Sequence, residues 1–377
     1  MQFPAWDPVL LDIPWSQIDI RWYGMMYVVG FVIGQWILVR LARARFFPAK
    51  PELAADLIFY LVLGVMLGGR TGYALWYQPD LLHPLQFIQV WKGGLAFHGG
   101  VMGVAVAMWL FTRRHKLGWR RVGDACALAV TPGILAVRCA NFINGELYGR
   151  PTEKGVFGAM QFPTDPAAEQ LLGVSKNWSM RDRELCIQVA FGHRTFADVK
   201  GQLSAEDELG HKIDWTHVEP KLDWAKVSSE TYANGAPLVP YRHPSQLYEG
   251  FGEGLVLGCV LLLLYMATRR RPLRTGYYAA AFLLGYAAIR WSLEFVREPD
   301  AQFRTGGGNG TVFLGMTMGQ TLSLGLVAVA ILIVVWPRRG EGAVPPGLGG
   351  GGSAPVSAAT GVDPGARVPG DRGRQQE

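Results

Sequence analysis

Four side chains that a bilayer resists stand within nine residues of one another: Arg138, Asn141, Asn144 and Glu146. They close an apolar run that begins near Ala125 and reads as a membrane span. A charged group at that depth costs at least roughly 2.5–3.5 kcal/mol, so it needs a partner, a water-filled cavity or a ligand. Interfacial snorkelling at a helix end is the plainer account. Residues of the same kind in other apolar runs argue against it. His98 stands among the glycines of Gly93-Gly94-Leu95-Ala96-Phe97-His98-Gly99-Gly100. Tyr23 opens one run beside Arg21, and Arg70 lies about two turns from the end of another. Tyr286, Arg290 and Glu294 are spaced i, i+4, i+8 and share one helix face, with Arg297 just beyond. Gln246, Tyr248, Glu249 and Glu253 open a further run.

Arginines gathered at one depth suit a phosphate, because guanidinium stays charged and binds it bidentately. His98 at the same level is a candidate acid–base or ligand-orienting group. Glu294 can position Arg290 for an anion, or the two can form a purely structural ion pair. The sequence has no P-loop, no GxSxG elbow and no clustered metal ligands, which removes serine-triad and metal hydrolysis from consideration. A transporter would need polar groups through both leaflets. Here the opposite halves of the runs, such as Leu255 to Met266, are mostly apolar. The phosphate most abundant at that depth is a phospholipid headgroup. An enzyme acting on a lipid fits best, ahead of a non-catalytic lipid carrier or a membrane scaffold.

The elements that must hold these groups are membrane helices. Half of the 377 residues are hydrophobic and 18% are charged, a balance that fits a polytopic membrane protein. The net charge of +6 reflects basic loops rather than nucleic-acid binding. Cys126, Cys139, Cys186 and Cys259 show no CxxC spacing, so neither a disulfide framework nor a metal site is indicated. Seven apolar runs, at about 22–41, 54–77, 94–111, 122–143, 245–267, 277–296 and 316–336, predict seven transmembrane helices in an all-α polytopic membrane protein. Tyr77 and Trp91 read as interfacial aromatics at the edges of a loop between two of them. Arginine clusters follow the first, third, fifth and seventh runs, which makes those loops cytoplasmic. The polar groups then face the periplasm of a bacterial inner membrane, and the N-terminus is periplasmic. The chain divides on this reading into a periplasmic N-terminal segment (1–21), which could lie along the membrane surface, and four spans (22–149). A periplasmic insertion (150–242), three further spans (243–339) and a disordered Gly/Pro-rich cytoplasmic tail (340–377) follow.

The run Arg138-x-Ala140-Asn141-Phe142-Ile143-Asn144-Gly145-Glu146-x-x-Gly149 resembles the signature of the bacterial prolipoprotein diacylglyceryl transferases. Other blocks resemble the same family: Trp22-Tyr23-Gly24-Met25-Met26-Tyr27, Gly68-Gly69-Arg70-x-Gly72-Tyr73, Arg242-His243-Pro244-Ser245-Gln246-Leu247-Tyr248-Glu249 and Gly285-Tyr286-x-x-x-Arg290-x-x-x-Glu294-Phe295-x-Arg297. Val137 departs from the signature, which has Gly before the arginine, and the insertion is longer than usual. The resemblance implies transfer of the diacylglyceryl group of phosphatidylglycerol to the lipobox cysteine of a prolipoprotein signal peptide, with no cofactor and no metal. It places catalysis on His98, Arg138, Arg290, Tyr286 and Tyr23. It places lipid binding on Arg138, Asn141, Glu146, Gly149, Glu294, Arg70 and Arg297. The acceptor thiol needs a base, either His98 or a tyrosine. Glu146 is expected to orient an arginine, and Asn141 to donate to the headgroup.

Overall fold

The computed structural model describes residues 3–4, 6–11, 20–76, 78–89, 94–299 and 311–336. The tail expected from residue 340 onward, the interfacial aromatics Tyr77 and Trp91, and Gly93 lie outside them. Each of the seven apolar runs folds as a helix: α1 (Trp22–Arg43), α2 (Leu53–Trp76), α3 (Phe97–Arg114), α4 (Trp119–Ile143), α5 (Ser245–Thr268), α6 (Tyr277–Leu293) and α7 (Met318–Val335). Five of these, α1, α2, α4, α5 and α7, are long and apolar enough to cross a membrane on that ground alone. The chain is thus a mostly helical, polytopic membrane protein. The other two fall short of the expected seven for local reasons. α6 stops after 17 residues. α3 gives up part of its 18 residues to His98 and two glycines at one end and to Arg113 and Arg114 at the other.

Small residues decide how these helices meet. Without a hydrophobic drive between helices in lipid, close backbone approach supplies the packing. Gly64 and Gly68 of α2 lie directly against Gly99 and Gly103 of α3, and Gly30 of α1 against Gly133 of α4. Gly254 and Gly258 of α5 fit over Leu135 and Thr131 of α4. α4 is therefore the central helix: 44% of its apolar window is buried, against 22–28% for the other four long helices. Over Gly250–Val256 α5 widens to π geometry, a local device common at functional sites.

The far end of the bundle is less apolar than the sequence suggests. Asp124 of α4 is buried and accepts from the backbone N–H groups of Gly276 at 2.7 Å and Ala279 at 2.9 Å. It caps the start of α6, where a carboxylate also complements the helix dipole. Buried Arg120 donates to the Trp336 carbonyl at the end of α7.

Between α4 and α5 the chain leaves the bundle and returns. Strands β1 (Val9–Leu11) and β2 (Ile20–Arg21) pair before α1, and β3 (Pro151–Thr152) pairs antiparallel with β4 (Tyr241–Arg242), so the two ends of the excursion are clasped together. A short hairpin of β5 (Thr311–Phe313) and β6 (Met316–Thr317) precedes α7. The excursion has its own core, which includes Leu172, Trp178, Leu185, Phe196 and Val239. Cys186 lies in that core, and burial pushes its thiol up to about 12, so it is an inert filler. The described N-terminal residues pack on this excursion. Phe3 is buried against Phe142 and Phe162, Gln188 donates to Asp7 at 3.0 Å, and Arg21 pairs with Glu184 at 2.5 Å.

The glycine seams are directly testable. A Cβ at Gly103 would collide with the Gly64 backbone, whereas one at Gly325 on α7 meets nothing within 4 Å. We expect Gly103→Ala to lower stability by about 1–3 kcal/mol. Gly325→Ala is neutral or raises it by up to about 1 kcal/mol. Thermal unfolding in detergent reads both, and equal midpoints would remove close packing as the organiser of the α2–α3 pair.

Candidate active site

The last turns of α4 and α6 converge on the first turns of α5, and one carboxylate joins them. Glu249 is fully buried. Its Oε1 accepts from Arg290 Nη1 at 2.9 Å and Arg297 Nη1 at 2.8 Å, and its Oε2 lies 2.8 Å from Arg138 Nη1. Arg290 turns its Nη2 to Glu294 Oε2 at 3.1 Å, one helical turn on. Glu294 in turn sits over Gly319 of α7, where any side chain would collide with it. Glu253 lies at the edge of the group, with Arg138 Nη2 3.6 Å away, a charge contact rather than a hydrogen bond. The Tyr286 hydroxyl faces both Arg138 and Glu253.

The sequence places Glu249 and Glu253 one turn apart on an apolar helix, and the helix geometry makes room for them. Just after Glu249 the backbone opens into the π turn. Glycines at 250, 252 and 254 let Arg138, Ile289 and Leu135 press against it. The side chains of Arg138 and Arg290 keep 18% and 15% of their surface accessible, while Glu249 and Glu253 keep none. The carboxylates are thus enclosed while the arginine side chains remain partly accessible.

A second polar group adjoins the first through α4, where Asn141 follows Arg138 by one turn. Asn141 donates from Nδ2 to Glu146 Oε1 at 2.9 Å, and Asn144 donates to the same oxygen at 3.3 Å. Glu146 therefore orients amides, not the arginine expected of it. Gly145, at φ +66°, turns the chain back over the helix end and puts the carboxylate there. Gln246 donates to the Glu146 carbonyl at 2.6 Å, which fixes the turn to α5. The Tyr23 hydroxyl lies 3.5 Å from that of Tyr27 and faces Asn141 and Glu146. Asn141 also has a buried Oδ1 with no hydrogen-bond partner among the described residues, which can accept from a ligand.

Arg138, Arg290, Arg297, Glu294 and Tyr286 thus meet in one cluster, and Tyr23, Asn141 and Glu146 in its neighbour. His98 lies on a different helix, in the first turn of α3. Arg70 is buried and spends its guanidinium on backbone carbonyls: Phe87 at 3.0 Å, Gln86 at 2.6 Å and Gly94 at 3.3 Å. It holds the loop that leads into α3 and hence the start of the helix that carries His98. Gly149 donates its N–H to the His243 carbonyl at 2.7 Å and bridges to Arg297, under a Val296 carbonyl that tolerates no Cβ. Its part is to keep the Arg297 backbone in place.

Sequence reasoning gave no role to Glu249, Glu253 or Arg242. Counting charges would have supplied one for the first two: Arg138, Arg290 and Arg297 face Glu249, Glu253 and Glu294, three against three. Arg242 pairs with Asp165 and, at 2.8 Å, with Glu298, and it stacks on the Tyr148 ring. Asp165 also caps the helix Pro166–Leu172, so Arg242 ties the excursion to the segment next to Arg297.

A family model described as prolipoprotein diacylglyceryl transferase matches residues 8–336. A curated protein of Ralstonia pickettii is 36% identical over 350 residues, which is 90% of this chain and 96% of that protein. One of Cupriavidus metallidurans is 34% identical over 346 residues, covering 90% and 97% of the two chains. One of Burkholderia thailandensis is 36% identical over 351 residues, covering 90% and 97%. All three bear the name phosphatidylglycerol–prolipoprotein diacylglyceryl transferase.

Removing the shared carboxylate leaves three largely enclosed cations with two carboxylates between them. We expect Glu249→Leu to cost about 3–5 kcal/mol, the range for breaking a buried ion pair from one side. The midpoint of thermal unfolding in detergent measures it. A midpoint equal to that of the unsubstituted protein would mean that the arginines do not depend on Glu249.

Proposed function

The chain belongs to the prolipoprotein diacylglyceryl transferase family, and we propose that it passes the diacylglyceryl group of phosphatidylglycerol to the thiol of a lipobox cysteine in a prolipoprotein signal peptide. The cysteine sulfur forms a bond to the terminal glyceryl carbon as the bond from that carbon to the phosphate oxygen breaks. The product is a thioether, and glycerol 1-phosphate leaves with the electron pair. The thiol gives up its proton to a base, His98 or one of the two site tyrosines. One observation carries this reading: Arg138 and Arg290, from separate helices, are anchored on one buried carboxylate and keep part of their side-chain surface accessible.

Each residue then has a role that its position supports. Arg138 and Arg290 hold the phosphodiester and stabilise the charge that grows on its bridging oxygen, in a site where little water weakens the attraction. Glu294 keeps Arg290 aimed, and Arg297 completes the cluster. Asn141 accepts from a headgroup hydroxyl through its free Oδ1, and Glu146 holds that amide in the required orientation. Tyr23 and Tyr286 line the two halves of the site within reach of the glycerol. Arg70 and Gly149 act on the lipid indirectly, by fixing the approaches to His98 and Arg297.

In this reading all seven helices cross the bacterial inner membrane, α3 and α6 completing their crossings with the loops that flank them. Arg43 and Arg45 at the end of α1, Arg113 and Arg114 in the last turn of α3, and Arg269, Arg270 and Arg271 after α5 favour a cytoplasmic location for that end. The site, the N-terminus and the 150–242 insertion then face the periplasm, and the C-terminus the cytoplasm.

Purified protein supplied with phosphatidylglycerol and a lipobox peptide is expected to yield the thioether-modified peptide, read by mass spectrometry. Arg138→Lys and Arg290→Lys keep the charge and lose the planar fork. We expect each to lose roughly 10²-fold in turnover, at the lower end of the loss seen when one transition-state donor is removed. Unchanged turnover in both variants would remove the phosphate clamp, and no thioether from the unsubstituted protein would end the transferase reading.

A further inference from the structure

The turn that carries Glu146 is held by the excursion as well as by the bundle. α4 ends in a Schellman motif. Gly145, left-handed at φ +66°, donates its N–H to the Phe142 carbonyl at 2.9 Å, and Glu146 donates to the Asn141 carbonyl at 3.0 Å. Glu146 is therefore bonded to Asn141 twice, by its backbone N–H and by the carboxylate that receives the Asn141 amide. Three successive carbonyls of this turn each accept from a side chain. Ser245 donates to Leu147 at 2.8 Å and Gln246 to Glu146 at 2.6 Å, both from α5. The third donor, the Thr164 hydroxyl, bonds the Gly145 carbonyl and comes from the excursion.

Contacts on both sides fix Thr164. Phe162 is fully buried against the rings of Phe3 and Phe142, and it stacks on Tyr148 at 4.9 Å. Asp165 is buried, caps the helix Pro166–Leu172 and pairs with Arg242. Met160 and Arg242 exchange backbone hydrogen bonds at 3.1 and 2.8 Å. The Tyr148 hydroxyl donates to the Thr164 carbonyl at 3.1 Å. The turn and the excursion are thus joined at Thr164 in both directions. Because its surroundings are already ordered, the Thr164 hydroxyl reaches Gly145 at little further cost in entropy.

We propose that Thr164 is a positioning residue for lipid recognition. Through the Gly145 carbonyl it fixes the peptide that leads into Glu146, and through Glu146 it sets the Asn141 amide, whose buried Oδ1 accepts from the headgroup. This assignment rests on the transferase reading. The bond from Nδ2 to Glu146 orients the amide, so a shift of the Glu146 backbone carries Oδ1 with it. The turn does not take its path by preference. Leu147 is left-handed at φ +59°, a region leucine avoids, and side-chain donors to residues 145, 146 and 147 impose it. The excursion then contributes a part of the site.

The test separates headgroup recognition from general loosening. Thr164→Val keeps the shape and removes the hydroxyl, and Thr164→Ser keeps the hydroxyl. KM for phosphatidylglycerol and for a lipobox peptide is measured well below the Tm of each variant. Thr164→Val is expected to raise the lipid KM about 3- to 10-fold, the worth of one net hydrogen bond, with the peptide KM within about twofold. Thr164→Ser restores the lipid KM. Phosphatidylpropanol has the same phosphodiester and no headgroup hydroxyl. Its inhibition constant against phosphatidylglycerol is expected to be the same in Thr164→Val and the unsubstituted enzyme, because the contact that Thr164 supports is already missing. An unchanged lipid KM in Thr164→Val overturns the proposal, and so does a serine variant that behaves like the valine one. An equal loss with phosphatidylpropanol assigns Thr164 to folding of the turn, and a rise in the peptide KM alone assigns it to the acceptor; each overturns the proposal. Thioether formation by the unsubstituted enzyme, measured first, tests the transferase reading by itself.

Discussion

A carboxylate inside a membrane protein must be neutralised or paired, and Glu249 is paired three times over. The site depends on this constraint. Isolated, a guanidinium on α4 or α6 would pay the full cost of leaving water. Sharing Glu249, the three arginines offset that cost through attraction that a low dielectric strengthens. An apolar packing of the same volume would serve stability as well or better. What the ion cluster adds is direction. Arg138 and Arg290 come from separate helices, and Glu249 sets the relation between them. Their remaining N–H groups are aimed before any ligand arrives, which is the condition for electrostatic stabilisation without reorganisation at the moment of reaction.

The rest of the bundle can be understood as support for that arrangement. α4 carries Arg138 and Asn141, and it is the helix against which α1 and α5 lie at glycine distance. Its other end is fixed to α6 by Asp124, which caps the helix that carries Tyr286, Arg290 and Glu294. A helix pinned at one end by a cap and at the other by an ion pair has little freedom to slide. The same logic extends beyond the bundle. Arg242 closes the excursion with Asp165 and Glu298, and Gly149 bridges to Arg297, so the excursion meets the cluster through short backbone-to-backbone contacts rather than a flexible linker. π geometry in α5 falls between Glu249 and the helix's apolar half.

What could be read from the sequence follows from where the cost of burial is largest. Arg138, Arg290 and Arg297 stood out because charge in an apolar run is expensive, and they do share one site. The helices stood out for the same reason in reverse, as runs without charge. Partner choice did not stand out. Glu146 was expected beside an arginine, but the Gly145 turn folds it onto Asn141 and Asn144, and sequence spacing cannot show which way a loop turns. Arg70 resembled a phosphate ligand by type and depth, yet its guanidinium goes to the carbonyls of a loop whose path only the structure reveals. Asp124 has no evident role in the sequence, because its function as a cap depends on a helix start some 150 residues away in the chain. The N-terminal residues gave no sign that Phe3 would find aromatic partners on both α4 and the excursion.

The charge balance of the cluster bears on how it would receive an anion. Three guanidinium groups face three carboxylates, so the site has no net positive charge to draw a phosphate in. Attraction must instead come from local direction. Each guanidinium has five N–H donors in a fixed plane. The carboxylates engage Arg138 and Arg290 through their Nη atoms. Each guanidinium keeps further N–H donors for a phosphate. The phosphate can bind without displacing Glu249, and the cluster keeps its shape when the phosphate departs. A site with three unopposed arginines would attract the same group more strongly and release it less readily. For a reaction whose leaving group carries that phosphate away, a balanced cluster with oriented donors serves both the binding step and the release.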